Sequence, residues 1–236
     1  MPHSNTHHEV LIVVFQVRHF PATAQSPRSG PELAVLLWQR ALDPEAGSWS
    51  LPGGRLHDDE DLTTSARRQL AEKVDVREVA HLEQLSVFSE PHRVPGARTI
   101  ASTYLGLVPI TSDPQLPDDT SWHPVSHLPE MSFDHGIMVE NARARLAAKL
   151  SYTNIAYGLA PSEFAMSTLR EIYCAALGYQ VDATNLQRVL SRRNVLVPTG
   201  TTAPPGRTGG RPPALYRFTD SRLRVTDEFA ALRPPA

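Results

Sequence analysis

The sequence has little of what would mark several protein classes. One of its 236 residues is a cysteine, which excludes an internal disulfide and a thiolate metal cluster. No apolar run approaches the ~20 residues that a membrane-spanning helix requires. The first residues lack a basic segment followed by an apolar one, so we expect no signal peptide, no membrane partner and a cytoplasmic location. Cys174 lies in an apolar helical stretch, and we expect it in the core.

Net charge is also low, but its distribution is uneven. The formal charge of the chain is −2 at pH 7. Residues 151–236 contain ten arginines and six acidic residues, a balance of +4, whereas residues 1–150 have a balance of −6. The two parts of the chain therefore have different preferred partners. The basic part is the one suited to phosphate groups.

The first 150 residues show the pattern of an α+β domain. A polar start, residues 1–8, predicts no regular structure. Apolar, β-branched runs predict strands at residues 9–17, 32–40, 81–88 and 99–108, with an edge strand at 122–125. Helical periodicity predicts helices at 61–74 and 137–150, and residues 41–54 read as a loop. Strands with one helix among them and a second at the end indicate an α+β sandwich for residues 9–150.

The most informative stretch is Gly54 to Val76. It has the layout of a Nudix box, in which Gly, Glu, Arg, aliphatic and Glu residues recur at fixed spacings. The positions that match are Gly54, Glu60, Arg68, Leu70, Glu72 and Val76. Three positions depart from the box: Gln69 and Lys73 replace glutamates, and Asp75 replaces the second glycine. Six matches at the expected spacings make an accidental resemblance a poor explanation.

These departures affect chemistry more than architecture. Nudix hydrolases cleave pyrophosphates with Mg²⁺, which neutralises phosphate charge and activates water. Of the carboxylates on that helix face, Glu72 alone survives, and Lys73 sets a cation beside the metal position. Glu60 and Arg68 remain, and in the family this pair mainly holds the loop–helix–loop together. We expect no catalytic residues, no required cofactor and a doubtful Mg²⁺ site.

Residues 151–225 predict a second, winged helix-turn-helix domain. A capping box at Thr168 predicts a helix start, Gly178 a helix end, and Asp182 the cap of a second helix at 183–193. Strands at 194–198 and 214–218 enclose a wing. Arg, Asn and Gln side chains can read base edges, and further arginines suit phosphate or the minor groove. The candidate DNA-binding residues are Thr184, Asn185, Gln187, Arg188, Ser191, Arg192, Arg193, Arg207 and Arg211.

Together these segments resemble the Nudix-related transcriptional regulators of NAD metabolism, the NrtR family, over roughly residues 9–219. Phe133-Asp134-His135 and the stretch from Gly210 to Phe218 are the most distinctive matches. The resemblance implies a Nudix-like α/β/α sandwich followed by a winged helix-turn-helix. It also implies a dimeric repressor of NAD biosynthesis or salvage genes, released from double-stranded, palindromic operator DNA by ADP-ribose or a related nucleotide.

A remnant Nudix pocket can hold such a nucleotide through aromatic stacking, arginines and backbone amides. The candidate ligand-binding residues are Arg40, Gly53, Gly54, Arg55, Glu72, Arg98, Tyr104, Phe133 and His135. Arg98 has the alternative of a hairpin charge, and Tyr104 that of a core residue. Two other functions stay open: an ADP-ribose pyrophosphatase that recruits Asp58, Asp59 or Glu78 to a non-standard metal site, and a protein-interaction scaffold.

Overall fold

A computed structural model of the protein describes residues 6–21, 30–204 and 212–227. Its strands are β1 (His7–Phe20), β2 (Gly30–Gln39), β3 (Trp49–Ser50), β4 (Gly53–Arg55), β5 (His81–Phe88), β6 (Thr99–Leu107), β7 (Thr120–Pro124), β8 (Phe164–Ala165), β9 (Leu196–Thr202) and β10 (Ala214–Phe218). Its α-helices are α1 (Leu62–Val74), α2 (His135–Tyr152), α3 (Met166–Leu177) and α4 (Ala183–Arg192). Short 3₁₀ helices lie at Val125–His127 and Ile155–Gly158. None of the helices in these ranges has both the length and the apolar character needed to cross a membrane.

The larger sheet of the described residues has seven strands. Five follow the order β3-β2-β1-β6-β5, while β4 also pairs with β1 and β7 with β2. The β1–β6 pair is parallel and the other pairs are antiparallel. Helix α1 covers one face of this sheet, and α2 and α3 cover the other. The predicted α+β fold with a sandwich architecture is therefore confirmed.

Strand β1 is the centre of the sandwich because it is buried on both faces. Val10 and Ile12 point towards α1, whereas Leu11 and Val13 point into the cluster beneath α2 and α3. Successive side chains of a strand point to opposite faces, so a strand covered on both sides must be apolar throughout. The predicted buried strand is confirmed, and it begins at His7, within the start that was predicted to lack regular structure.

Helix α1 forms where the acid-rich stretch predicted it. The Asp61 carboxylate caps the helix by accepting a hydrogen bond from the Thr64 amide at 2.7 Å. Asp75 ends the helix in the left-handed conformation, with φ of 52°. Glycine adopts this conformation at least cost, which explains why the box has a glycine at this position.

The strand β3 lies in residues 41–54, which the sequence predicted as loop, and β4 begins in this range and ends at Arg55. Both strands are very short, and β4 forms only by pairing with residues 9–11 of β1. A strand of two or three residues has no periodicity of its own to detect. This pairing places Gly53 and Gly54 directly beside the central strand.

The winged helix part follows the predicted order of elements. Gly178 ends α3 in the left-handed conformation, and the Asp182 carboxylate caps α4 by accepting from the Asn185 amide at 2.7 Å. Strands β8, β10 and β9 form a small antiparallel sheet. The capping box predicted at Thr168 was wrong, because α3 already begins at Met166 and Thr168 lies inside it. Cys174 is half-buried, and its sulfur accepts a hydrogen bond from the Val181 amide at 3.2 Å.

The two parts of the chain share one hydrophobic cluster. Residues of β1 and β2, of α2, and of α3 and α4 all belong to it. A C-terminal segment reinforces the junction, since buried Asn154 accepts from the Arg224 amide at 2.7 Å and donates to the carbonyls of Asp220 and Arg222. The predicted domain boundary after residue 150 falls in the last turn of α2 and stays a prediction.

Candidate functional sites

Glu60 and Arg68 lock the loop of the Nudix-like box onto its helix. Arg68 donates to both carboxylate oxygens of Glu60, at 2.6 and 2.8 Å, and also to the carbonyl of Arg55 at 3.2 Å. The Glu60 carboxylate accepts a further hydrogen bond from the His57 amide at 2.9 Å. The guanidinium of Arg68 holds the pKa of Glu60 far below its usual range. Both oxygens of the Glu60 carboxylate are therefore engaged in holding the loop.

Gly53 and Gly54, where the box begins, have close neighbours that leave little room for a side chain. A Cβ atom on Gly53 would lie 2.2 Å from the carbonyl oxygen of Val10 in the neighbouring strand. One on Gly54 would lie 2.9 Å from the side-chain amide of Gln69. Gly53 therefore lets β4 pair with β1, and Gly54 lets the helix pack against β4.

Gln69 is buried beneath this turn, with 3% of its surface exposed. Its amide fits best with the oxygen accepting from two Arg68 nitrogens at 3.2 Å and the nitrogen donating to the Gly53 carbonyl at 3.3 Å. In the opposite orientation the nitrogen donates to the Arg55 carbonyl, also at 3.3 Å. In both orientations an amide hydrogen satisfies a backbone carbonyl of the turn, which an ionised carboxylate cannot do.

The ammonium group of Lys73 lies 5.1 Å from the centroid of the Trp38 ring. Trp38 in turn donates its indole hydrogen to the Leu51 carbonyl at 3.0 Å. Glu72 is exposed and pairs with Arg68 at 3.1 Å. A Mg²⁺ ion needs several oxygen ligands, so an amide, an ammonium and one carboxylate do not form a fitting site. Within the described ranges, no group of three His, Cys, Asp or Glu residues is placed to hold a metal ion.

The alternative metal ligands are not gathered in one cleft. Asp58 lines a cleft of about 390 Å³ beside the start of β1, whereas Glu78 lines a separate one of about 300 Å³ beside the end of α1. The predicted non-standard metal site therefore has no geometric support. A larger cleft, of about 560 Å³, lies between β2 and α3 and includes no residue of the box.

Arg40, Phe133 and His135 do come together. The Arg40 guanidinium lies 5.0 Å from the Phe133 ring centroid, and the rings of Phe133 and His135 meet edge to face at 5.9 Å. His135 is buried, and its Nδ1 accepts a hydrogen bond from the Leu51 amide at 3.1 Å. His135 therefore positions the turn that leads into Gly53, while half-buried Arg40 and Phe133 form the accessible part of the cluster.

Burial makes His135 a source of pH-dependent stability. Desolvation lowers its pKa to about 4, with the nearby Asp134 opposing the shift and Arg93 adding to it. The unfolded chain binds this proton near pH 6.5, so the stabilisation is complete above pH 6.5 and is lost as pH falls towards 4. We expect this histidine to account for a loss of about 3 kcal/mol across that window. Urea unfolding of the wild type and of His135→Asn between pH 4 and pH 7 measures this loss, because asparagine keeps an acceptor but does not titrate in that window. If the free energy of unfolding depends on pH equally in the two proteins, His135 is not the source of the loss.

Arg55 and Arg98 lie at the same end of the sheet. The Arg55 guanidinium is 3.1 Å from His7 Nδ1, and the His7 amide donates to the Arg98 carbonyl at 2.8 Å. With Arg55, the residues His7, His8 and His57 line the cleft of about 390 Å³. The sequence did not single out these histidines for this site, because His7 and His8 were assigned to the start without regular structure. The side chain of Arg98 donates to the Ser89 carbonyl, which supports its alternative as a hairpin residue.

Tyr104 belongs to the core, which supports its alternative as a core residue, and its role as a ligand contact stays a prediction. Its ring packs between β6 and α1 together with Val10 and Ile12. Only its hydroxyl reaches a polar partner, Thr63, at 3.2 Å. The sequence offered both a core position and a ligand contact for Tyr104, and its burial favours the core position.

A buried ion triad escaped the sequence analysis. The Arg93 side chain is 1% exposed and donates to both carboxylate oxygens of Asp134, at 2.6 and 2.9 Å. It also pairs with Glu9 of β1. The triad ties the hairpin between β5 and β6 to the residues that precede α2. The Phe-Asp-His motif was a signal for this region, but only the fold brings Arg93 to it.

Helix α4 presents an exposed polar face. The residues on it are Thr184, Asn185, Arg188, Ser191 and Arg192. Arg188 donates to the Asn185 side chain at 2.7 Å. Leu186 and Leu190 form the opposite, buried face.

Two predicted DNA contacts also have partners within the protein, and their contact with DNA stays a prediction. Arg193 donates to the Ser151 carbonyl at 2.8 Å and to Asp227 at 2.6 Å, which fastens the end of α4 to the end of α2. Gln187 is half-buried and donates to the Tyr216 hydroxyl at 2.9 Å, so it faces the small sheet. Arg207 and Arg211 lie outside the described residues.

Comparison with known proteins agrees with both parts of this architecture. A family model described as NUDIX domain matches residues 19–142, and one described as NrtR DNA-binding winged helix domain matches residues 156–218. The ADPR responsive transcriptional repressor NtrR of Acinetobacter baylyi is 29% identical over 194 residues, 79% of this chain and 76% of that protein. The crystal structure of Shewanella oneidensis NrtR complexed with a 27mer DNA matches with a TM-score of 0.72 and 28% identity, covering 89% of this chain and 93% of that one. The structure of Shewanella oneidensis NrtR matches with a TM-score of 0.71 and 27% identity, covering 90% and 94%.

Proposed function

This chain belongs to the Nudix family, as its box predicted, and on that premise we propose that it is a DNA-binding repressor controlled by a nucleotide. The nucleotide is ADP-ribose or a related NAD-derived molecule, bound by the Nudix-like part. The regulated genes are those of NAD biosynthesis or salvage. The similarity to a repressor described as ADPR responsive, and to a DNA-bound NrtR structure over most of both chains, supports the proposal.

The observation that carries the proposal is the pairing of two surfaces on one core. Helix α4 exposes Arg188 and Arg192 on a capped, amphipathic helix, as a helix that enters the major groove does. The Nudix box keeps the contacts that shape its loop, and one hydrophobic cluster connects the sheet to α4. A protein-interaction scaffold would not require both a DNA-binding helix and a nucleotide-binding box, so this combination favours the repressor.

We further propose that the Nudix-like part binds without cleaving. Gln69 and Lys73 occupy positions where catalysis requires carboxylates, and Glu60 is engaged by Arg68. A regulator that hydrolysed its own effector would erase the signal. The boundaries 9–150 and 151–225 for the two domains belong to this proposal.

A homodimer on a palindromic operator completes the proposal. Two copies of α4 related by a two-fold axis would read half-sites about one or two helical turns apart. Helix α2 links the Phe133 cluster at its start to the winged helix part at its end, and over 18 residues it spans roughly 27 Å. It is therefore the natural connection through which nucleotide binding alters the spacing of the two α4 helices.

A gel shift on DNA upstream of NAD genes in the protein's own genomic neighbourhood tests the function. We expect salt-sensitive binding to a palindromic site, with release by ADP-ribose at concentrations at which NAD itself has a smaller effect. A single half-site is the control and should bind more weakly. The absence of sequence-preferring binding would refute the repressor, and release of AMP from ADP-ribose with Mg²⁺ would establish the hydrolase instead.

A further inference from the structure

We infer that Gln69 and Lys73 together replace the divalent cation of a Nudix site, so that this protein binds a pyrophosphate group without metal. The inference rests on the proposed function and concerns the same nucleotide-binding part of the chain. It assigns Lys73 a direct role as the phosphate-binding cation and Gln69 the role of completing the turn beneath it.

The position of Gln69 shows what a carboxylate there would need. Its side-chain amide lies against Gly54 and donates to a carbonyl of the turn at 3.3 Å in either orientation. A glutamate at this place would direct a negative oxygen at a carbonyl oxygen, and a cation between them would relieve the repulsion. Glutamine makes the contact by itself. The turn is therefore held in shape with no ion.

Lys73 brings positive charge to the same helix face. Positions 69 and 73 are four residues apart, so their side chains lie one above the other on α1. No carboxylate of the described residues forms an ion pair with Lys73, which instead lies over the half-buried Trp38 ring. The Trp38 indole is anchored to the Leu51 carbonyl, in the segment that leads directly to Gly53 and Gly54.

This arrangement suits an anion better than a metal ion. An ammonium group that rests on an aromatic ring can move to a phosphate oxygen without breaking an ion pair. It neutralises part of the pyrophosphate charge, as a divalent cation does, but it repels that cation. An ammonium group also cannot lower the pKa of a bound water as a metal ion does, so the phosphate is held and not hydrolysed.

Titration calorimetry of the full chain with ADP-ribose tests this inference, in EDTA and in millimolar Mg²⁺. We expect equal affinity in the two conditions for the wild type, and competition by inorganic pyrophosphate in EDTA. Lys73→Glu should weaken binding in EDTA by a factor on the order of 100, and Mg²⁺ should restore most of the loss. Lys73→Arg should keep the affinity in EDTA.

Two further variants separate charge from packing. Lys73→Met keeps an apolar contact with Trp38 but removes the charge, and it should lose affinity in EDTA as Lys73→Glu does, without recovery in Mg²⁺. Arg67→Glu makes the same change of charge at an exposed position of α1 outside the proposed site, and it should bind as the wild type does. Thermal unfolding of each variant verifies that the fold is retained.

The outcomes distinguish the two proposals. Wild-type binding that is lost in EDTA and recovered with Mg²⁺ overturns the metal-free site, although the nucleotide sensor would stand. Unchanged affinity of Lys73→Glu or Lys73→Met in EDTA overturns the role of Lys73. If ADP-ribose binds in neither condition while pyrophosphate does, the anion site stands and the proposed effector is wrong. If neither ligand binds, both proposals fall.

Discussion

Gly53→Ala is expected to destabilise the protein by about 3 kcal/mol or more, because the new methyl group has no room to enter. It would lie 2.2 Å from the Val10 carbonyl and 2.9 Å from the backbone of Leu11. Backbone atoms of the central strand cannot rotate away as a side chain can. Strand β4 must therefore separate from β1, which also displaces Gly54 and the start of the box. Urea unfolding and ADP-ribose titration should both detect the change, with binding at least tenfold weaker if the variant folds.

Gly47→Ala is the matched control for this variant. Gly47 also has a positive φ, of 84°, but no atom lies within 4 Å of a Cβ placed on it. Its replacement costs only the backbone preference, about 1 kcal/mol, and should leave nucleotide binding intact. If Gly53→Ala and Gly47→Ala lose the same amount of stability and of nucleotide affinity, the close contact of Gly53 with β1 is not what makes this glycine necessary.

Arg188→Ala combined with Arg192→Ala is expected to lower DNA affinity by roughly 100-fold at physiological salt. Both side chains lie on the exposed face of α4, and neither supports the core. A bidentate base contact contributes about 1–3 kcal/mol, and the loss of phosphate contacts weakens binding and reduces its salt dependence. Fluorescence anisotropy on operator DNA across a range of salt concentrations measures both effects.

Arg77→Ala is the control for charge alone, since Arg77 is an exposed arginine just beyond α1. It should leave DNA affinity and the unfolding free energy close to their wild-type values. ADP-ribose binding by the α4 double variant should also be unchanged. If the double variant keeps its affinity for the operator, α4 is not the DNA-reading helix.

The tertiary structure decided the roles of individual arginines. Arg98, Arg188 and Arg193 look alike in the sequence, as cations near turns or on a helix. In the fold, Arg98 donates to a hairpin carbonyl, Arg188 faces solvent, and Arg193 is fastened to Asp227. Whether an arginine is free to meet DNA depends on partners distant in sequence, and no local pattern reports them. Arg93, between Glu9 and Asp134, was missed for the same reason.

The larger helices and strands and the Nudix box were predictable from the sequence. Long periodic segments such as β1 and α1 carry their own evidence, because burial on one or two faces imposes a period on the residues. The spacing from Glu60 to Arg68 was also predictable from the sequence, and so were the two positions, Gln69 and Lys73, at which glutamates of the box are replaced. What Gln69 and Lys73 do in place of glutamates was not readable. Only the fold places Gln69 against the Gly53 turn and Lys73 on Trp38, because those contacts join α1 to strands that come before it in the chain.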